Sequence, residues 1–261
     1  HEGKGTKTRH GARRMIRCAA VAAALRSSTA GARRRGDCDE MAGMVIAIDG
    51  PSGVGKGTVA RALARHLGYR HVDTGAMYRA VGWLALHRGV PLEDEDAVAA
   101  VAASASFAQD DTGTRIDGHD VTQAIRTPEI DRAVTAVARI ARVRDVLVAR
   151  QREMRASGGL VMEGRDIGTV VFPDADVKIY LDASPEERAR RRANDPAHAG
   201  SHDVAAVASA LQARDQADRT RAASPLYMAP DAVLVDTTGV PVDEVVARVL
   251  AIVTARRAEA P

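Results

Sequence analysis

The chain has 261 residues, of which 46% are hydrophobic and only 3% aromatic, so alanine and valine must supply most of a packed core. No apolar run reaches the roughly 18 residues that a membrane-spanning helix needs, so a soluble protein without a membrane partner is expected. The net charge of +3 comes from the first 43 residues, which hold 10 Lys and Arg against 4 Asp and Glu, whereas the remainder holds 27 against 30. Nucleic-acid binding by the body of the chain is therefore not expected.

The basic leader, residues 1–43, is rich in Gly, Ala, Arg and Ser and has no sustained apolar period, which predicts a disordered extension. Both cysteines, Cys18 and Cys38, lie in it. This excludes a disulfide scaffold, a zinc site and thiol catalysis from the body. A short alanine-rich stretch in the leader weakly resembles a secretory signal, but Arg17 interrupts it, so a cytoplasmic location is favoured.

A glycine-rich loop follows the first apolar segment. Val45 to Ile48 indicates a buried strand, and a helical pattern begins directly after the glycines, which is the setting of a phosphate-binding loop. Lys56 can reach the outer phosphates and Thr58 can lie near a magnesium ion. A plain glycine-rich turn is the alternative, but it leaves the lysine and the spacing unexplained. The expected ATP-binding residues are Gly50, Pro51, Ser52, Gly53, Val54, Gly55, Lys56, Gly57 and Thr58.

Beyond the loop, strands and helices alternate, which predicts an α/β fold with a parallel sheet flanked by helices. One helix is expected to end at Gly68, and a second to begin after Asp73-Thr74 and run to Gly89. Turn signals in residues 106–122 predict an inserted small antiparallel meander. Further strands are expected at 160–162, 177–181 and 232–235, and a closing helix at 242–253.

Arginines in three segments could bind an acceptor phosphate, because the guanidinium fork matches phosphate oxygens and stays charged. Arg79 follows a strand-end loop, and Arg165-Asp166 follows the strand at 160–162. The third segment places Arg214, Asp218 and Arg221 on one helix face. The alternatives are a solvated helix arginine, a surface pair in a turn and an exposed salt-bridge ladder.

These motifs, in this order, resemble the bacterial cytidylate kinases (CMP kinases) from Met44 to the C-terminus. The matching segments are Gly50-Pro-Ser-Gly-Val-Gly-Lys-Gly-Thr58, Asp73-Thr-Gly-Ala-Met-Tyr-Arg79, Ile125-Arg-Thr127, Val143-Arg144, Gly164-Arg-Asp-Ile-Gly-Thr-Val-Val-Phe-Pro173 and Arg214-Asp-x-x-Asp218-Arg-x-Arg221. The resemblance implies the fold of the P-loop nucleoside monophosphate kinases and transfer of the γ-phosphate of ATP to CMP or dCMP, with Mg²⁺.

The resemblance also implies residue roles. Arg79 and Arg165 are expected to clamp the acceptor phosphate, with Arg221 and the hydroxyl of Thr74 nearby. Thr135, Arg144 and Asp166 are expected to read the cytosine, and Arg214 and Asp218 to contact the ribose. Thr58 and, through water, Glu163 are the expected metal ligands. This chain departs from the family where Asp is frequent in place of Glu163 and Ser in place of Thr135, and both departures keep the chemistry.

The base assignment agrees with the chemistry of cytosine. The carboxylate of Asp166 can accept from the N4 amine, while Arg144 and a hydroxyl can donate to N3 and O2. Uracil has a carbonyl oxygen in place of that amine and would leave buried polar groups mispaired. We therefore expect CMP to be strongly preferred over UMP.

Ser184-Pro-Glu-Glu187 has the spacing of a capping box and begins an arginine-rich helix. One interpretation is a solvated basic helix; the other is a short lid, about 184–202, that closes arginines over ATP and expels water. By analogy with related kinases, Arg188 is expected near the adenine, and Arg192 and Arg191 near the phosphates. The catalytic set is then Lys56, Arg79, Arg165 and Arg192. The other expected parts are a core of 44–72, 140–183 and 224–261 and a monophosphate-binding region of about 73–139.

The sequence leaves two alternative functions to consider. A P-loop hydrolase or switch protein needs a guanine-reading motif such as Asn-Lys-x-Asp, which the sequence lacks. A nucleic-acid-binding protein tethered by the basic leader is the alternative outside enzymology. A monomer is expected.

Overall fold

The computed structural model of the protein describes residues 43–110, 112–195 and 203–259. The leader that was predicted to be disordered lies outside the described residues except for Gly43. Both cysteines and most of the predicted lid tip also lie outside them.

The elements alternate as expected. In chain order they are β1 Val45–Asp49, α1 Lys56–Leu67, β2 Arg70–Asp73, α2 Thr74–His87, α3 Glu95–Ser104, β3 Phe107–Asp110, β4 Gly113–Ile116, β5 His119–Asp120, α4 Pro128–Val137, α5 Ala141–Glu153, β6 Leu160–Gly164, β7 Val177–Asp182, α6 Pro185–Ala193, α7 Val204–Thr220, β8 Val233–Asp236 and α8 Val242–Ala258. Short 3₁₀ turns precede α4 and follow α5, and a π-type turn, Ile167–Val171, follows β6.

Five strands form a parallel sheet in the order β2-β6-β1-β7-β8. Its central strand β1 is buried along its whole length. Val45 and Ala47 pack into one apolar cluster, whereas Ile46 and Ile48 pack into another, because successive side chains of a strand point to opposite faces. Helices cover both faces, and the predicted α/β architecture is confirmed.

The register brings the carboxyl ends of neighbouring strands together. Asp73 of β2 lies beside Glu163 of β6, and Asp49 of β1 lies beside Gly164. The loops that follow β1 and β6 therefore open at the same edge of the sheet, which is where open α/β sheets bind ligands.

The helix boundaries follow local signals. Gly68 takes a left-handed conformation with φ of 70° and ends α1 as predicted. Asp73 caps α2, because its carboxylate accepts a hydrogen bond from the Ala76 amide at 3.0 Å. The inserted meander is confirmed as an antiparallel sheet of β3, β4 and β5. Within the described residues, no helix combines the length and apolar character needed to cross a bilayer.

Candidate active site

The loop between β1 and α1 is shaped for close approach of an anion. Gly50, Gly53 and Gly55 have φ of 149°, 80° and 90°, conformations that favour glycine. At Gly50 a Cβ would also lie 2.2 Å from the carbonyl oxygen of Leu181. The amides at the start of α1 consequently face the cavity next to the loop, where a helix N-terminus favours negative charge.

Lys56 is the first residue of α1 and is buried. Its ammonium group donates to the carbonyl oxygen of Pro51 at 2.7 Å. Burial, reinforced by the positive charge of Arg165, lowers the pKa of Lys56 to about 7. An anion bound in the loop would reverse this effect, because it would stabilise the charged form of the lysine.

A cavity of about 1010 Å³ opens at the carboxyl edge of the sheet. A smaller pocket of about 60 Å³ adjoins it. Six residues from the start of α1, the end of β2, α2, the end of β6, the turn after it and α7 line both spaces: Lys56, Asp73, Gly75, Glu163, Arg165 and Arg214. The residues between the two spaces are therefore rich in charge, and two of the arginines predicted from sequence, Arg165 and Arg214, are among them.

Arg165 lies between the loop and α7. Its Nη2 donates to the hydroxyl of Ser52 at 2.7 Å, and its Nε donates to Asp218 at 2.9 Å. Burial opposes its charge, yet Asp218 and Asp215 raise the pKa of Arg165 above its usual value. The turn-surface alternative, an Arg165–Asp166 pair, is wrong, because Asp166 is paired elsewhere.

Asp166 is buried in the small pocket and forms ion pairs with Arg144 and Arg221. Tyr78 and Thr135 line the same pocket. Among the described residues, the Nε of Arg144 is buried without a hydrogen-bond partner, and the Nη2 of Arg221 has only its ion-pair contact with Asp166 at 3.6 Å. Buried polar groups are usually paired, so these atoms mark a place where a polar ligand fits.

The hydroxyls of the two predicted threonines are already engaged. Thr74 donates to the carbonyl oxygen of Glu163 at 2.7 Å, and Thr135 donates to that of Asp131 at 3.3 Å. Both threonines line the small pocket. A hydroxyl oxygen that donates in this way still keeps its lone pairs as acceptors.

Arg214, Asp218 and Arg221 do not form the exposed series of salt bridges that was the alternative interpretation of this helix. Their side chains are 19%, 14% and 4% exposed. Burial, together with repulsion from Arg79 and Arg165, lowers the pKa of Arg214 to about 9. Asp218 partly offsets this concentration of positive charge.

The arginines of α6 divide between two environments. Arg188 is buried, pairs with Asp215 of α7 and donates to the Ser52 carbonyl oxygen at 3.1 Å, and it does not line the large cavity. Arg191 and Arg192 do line it. Ser184 caps α6 through the Glu187 amide at 3.2 Å, but the reciprocal half of the predicted capping box does not form, because the Ser184 amide donates to Thr238.

Thr58 and Glu163 offer oxygen atoms to the cavity next to the loop. The Thr58 side chain is exposed, and a Cβ at Gly57 would lie 2.9 Å from Oε1 of Glu163, so this carboxylate approaches the loop closely. Burial and the charge of Asp73 raise the pKa of Glu163. A hydroxyl and a carboxylate beside a phosphate site are donors that fit Mg²⁺.

Three aspartates of the site were not predicted. Asp49 is buried and accepts hydrogen bonds from the amides of Ile167 and Gly168 at 2.9 and 2.8 Å. Asp215 accepts from the Ser52 amide at 3.0 Å, and Asp131 contacts several arginines. Asp49 could have been identified from the sequence as a charged residue at the end of an apolar strand. Asp215 and Asp131 lie on helices, where an acidic residue is ordinarily exposed to solvent.

Comparisons with known proteins agree with this geometry. The sequence profile of the cytidylate kinase family matches residues 46–255. The chain is 49% identical over 220 residues to a cytidylate kinase of Pelotomaculum thermopropionicum, which covers 82% of this chain and 97% of that protein. It is also 49% identical over 211 residues to a cytidylate kinase of Desulfitobacterium hafniense, covering 79% and 91% of the two chains. The chain therefore belongs to the cytidylate kinase family.

Proposed function

We propose that this protein transfers the γ-phosphoryl group of ATP to the phosphate of CMP or dCMP and so produces ADP and CDP or dCDP. The observation that carries the proposal is the junction of two spaces at Lys56 and Arg165: one borders the phosphate-binding loop and the other is a small polar pocket. A donor and an acceptor nucleotide that enter these spaces would meet at those two cations.

On the donor side, the amides of residues 53–58 hold the β- and γ-phosphates, and Lys56 stabilises the negative charge that develops during transfer. Arg191 and Arg192 face the same cavity from α6. We infer that α6 forms a lid that carries these cations to the nucleotide. Arg188 belongs to the lid as well, and its pairing with Asp215 supports a role in holding α6 against the loop.

On the acceptor side, Arg79 and Arg165 clamp the phosphate of CMP, with Arg221 and Thr74 nearby. Asp166 accepts a hydrogen bond from the N4 amine of cytosine, and Arg144 and Thr135 complete the recognition of the base. Arg214 and Asp218 reach the ribose. The buried Nε of Arg144, which has no hydrogen-bond partner among the described residues, supports this placement, because a pyrimidine supplies the acceptor that it lacks.

Thr58, through its hydroxyl, and Glu163, through a water molecule, would hold Mg²⁺ beside the loop. When bound with ATP, it would neutralise charge on the β- and γ-phosphates. The protein's own contribution is positional and electrostatic: it aligns the two phosphates, excludes water and provides fixed cations. The arrangement requires neither a covalent intermediate nor a strong base, because the acceptor oxygen belongs to an ionised phosphate.

The test is an assay of ADP release with CMP, dCMP, UMP, AMP and shikimate as acceptors, each at matched concentration. Turnover with CMP and dCMP well above that with the other three is the expected result. Release of ADP at one rate, irrespective of the acceptor, would instead indicate a hydrolase.

A cytoplasmic location suits an enzyme that depends on ATP. We propose that the kinase domain acts as a monomer and binds neither membrane nor nucleic acid.

Nucleic-acid binding through the basic leader is the alternative function, and it can be tested separately from the kinase activity. Deletion of residues 1–40 should leave CMP phosphorylation intact. If salt-sensitive binding of RNA or DNA is lost with the deletion, the leader is an accessory; if the full chain binds neither, the nucleic-acid alternative ends.

A further inference from the structure

Three arginines from three different helices converge on one carboxylate, that of Asp131 in α4. Arg79 of α2 and Arg192 of α6 each approach it at 2.7 Å, and Arg214 of α7 lies at 3.4 Å. None of these contacts is between neighbours in sequence. Asp131 thus joins the acceptor side of the site to α6, the arginine-rich helix.

The electrostatic setting requires such an anion. Arg79, Arg192 and Arg214 all line the large cavity, where like charges repel. Burial lowers the pKa of Arg192, and burial with repulsion from Arg79 and Arg165 lowers that of Arg214. Although burial works to raise the pKa of Asp131, the three arginines bring it below its usual value, so the carboxylate is ionised at neutral pH.

The three arginines retain donors for a substrate. Asp131 takes a single nitrogen from each guanidinium, and a guanidinium has five N–H donors. Arg79 uses its other terminal nitrogen on the carbonyl oxygen of Ile125 at 3.1 Å. The carboxylate can therefore stay in place and fix the direction of the guanidinium planes while a phosphate binds to their other edges.

We propose that Asp131 is a positioning residue, which latches Arg192 of the lid to the same anion that orients Arg79 and Arg214 and so sets lid closure over the acceptor phosphate. The inference rests on the phosphate-binding roles proposed above for Arg79 and Arg192. It adds a residue that touches neither nucleotide and acts through those that do. Asp195 adds a second negative charge near Arg192, but the link to Arg79 and Arg214 runs through Asp131.

The central experiment compares Asp131→Asn with Glu129→Gln. Glu129 is exposed in the first turn of the same helix, so its variant removes the same charge from the same helix end without touching the arginines. With Asp131→Asn, kcat for CMP should fall about 10- to 100-fold, since misplaced catalytic groups lose rate. KM for ATP should change little, and ATP hydrolysis relative to transfer should rise, because a poorly closed lid admits water. Glu129→Gln should match the wild type.

Two further variants keep the test decisive. Asp131→Glu retains the charge and should recover part of the lost kcat, which a merely steric role would not predict. In the background of Arg192→Gln, Asp131→Asn should cost much less than it costs in the wild type, because both changes break one latch. Thermal melting checks that each variant is folded at the assay temperature, and Asp131→Ser replaces Asp131→Asn if the latter is not.

The proposal is overturned if Asp131→Asn keeps kcat within twofold of Glu129→Gln, or if its cost is the same with and without Arg192. Failure of the proposed function looks different. In that case the wild type itself would not phosphorylate CMP, or Arg79→Gln and Arg192→Gln would each leave transfer unchanged.

Discussion

The ammonium group of Lys56 donates to the carbonyl oxygen of Pro51, 2.7 Å away in the same loop. The lysine is thus held by the backbone of the phosphate-binding loop that it serves. Because its pKa is lowered to about 7, only part of the population carries the charge at the pH of the cell. A triphosphate bound in the loop would stabilise the ammonium form, so Lys56 would take up a proton from solvent.

We therefore predict that ATP binding is coupled to proton uptake at Lys56. At pH 7.5 a group with a pKa of about 7 is mostly neutral, so complete protonation takes up about 0.8 proton per ATP. Calorimetric titrations in buffers with different ionisation enthalpies measure this number. They should be run with EDTA, so that no metal binds near Glu163 and releases a proton from it.

Lys56→Arg is the matched control, because arginine keeps the charge at every pH of interest. It should bind ATP with almost no proton uptake. Equal uptake in the variant and the wild type would show that another group is responsible.

Arg165→Ala should abolish most phosphoryl transfer while ATP still binds. Arg165 lies where the two spaces join, so its loss removes charge from the reacting phosphates, and we expect kcat to fall about 10²- to 10³-fold. The dissociation constant of ATP, measured by equilibrium titration, should stay within a few fold of the wild type. Arg155→Ala is the control, because it removes an exposed arginine that likewise pairs with a carboxylate, that of Asp174. It should change neither kcat nor the dissociation constant of ATP. Near-normal turnover of Arg165→Ala would contradict the clamp.

The sheet, the loop and most of the arginines could be predicted from the sequence because each has a local signature. Gly50 to Thr58 specify their own backbone, and Asp73 marks a helix start through its capping chemistry. The direction of a parallel sheet then places the ends of β1 and β6 at one edge. This is why Arg165 could be assigned to the site before any contact was known.

Contacts between distant helices have no such signature. Asp131 looks like an ordinary acidic residue in the first turns of α4, and only the packed structure brings Arg79 and Arg192 to it.

Arg188 illustrates the reverse case, a residue that was predicted in the site and does not line the large cavity. It was expected near the adenine by analogy with related kinases, and in the structure its side chain is buried against Asp215. The helical period alone does not reveal which face meets the loop.

Asp166 should determine the preference for CMP over UMP. Its carboxylate, ion-paired with Arg144, can accept from an amine but not from a carbonyl. We expect the wild type to favour CMP by about 10²- to 10⁴-fold in kcat/KM. Asp166→Asn should reduce this ratio, because an amide can also donate to the uracil oxygen, although activity with both nucleotides falls. Thr135→Ser keeps the hydroxyl and should preserve the ratio; comparable wild-type activity with CMP and UMP would defeat the assignment.

Asp49 gives the stability of the protein a specific dependence on pH. Burial, which outweighs the hydrogen bonds from Gly168 and Ile167, raises the pKa of Asp49 from 3.8 to about 6. Between these two values the folded state binds more protons than the unfolded state, so the contribution of Asp49 to stability is full below pH 3.8 and is lost as the pH rises through 6. Since one pKa unit corresponds to about 1.4 kcal/mol, lowering the pH from 7 to 4.5 should stabilise the wild type by about 2 kcal/mol through this group.

The comparison variant is Asp49→Asn, which has the same shape and does not titrate. The free energies of unfolding of the wild type and of this variant are measured in urea at pH 4.5 and pH 7. Relative to the variant, the wild type should be more stable at pH 4.5 than at pH 7. Asp145→Asn removes an exposed carboxylate from α5 and controls for the loss of one negative charge. If the difference is constant with pH, or if acidification favours the variant, the two amides hold Asp49 ionised. The hydrogen bonds would then lower the pKa of Asp49 at least as much as burial raises it.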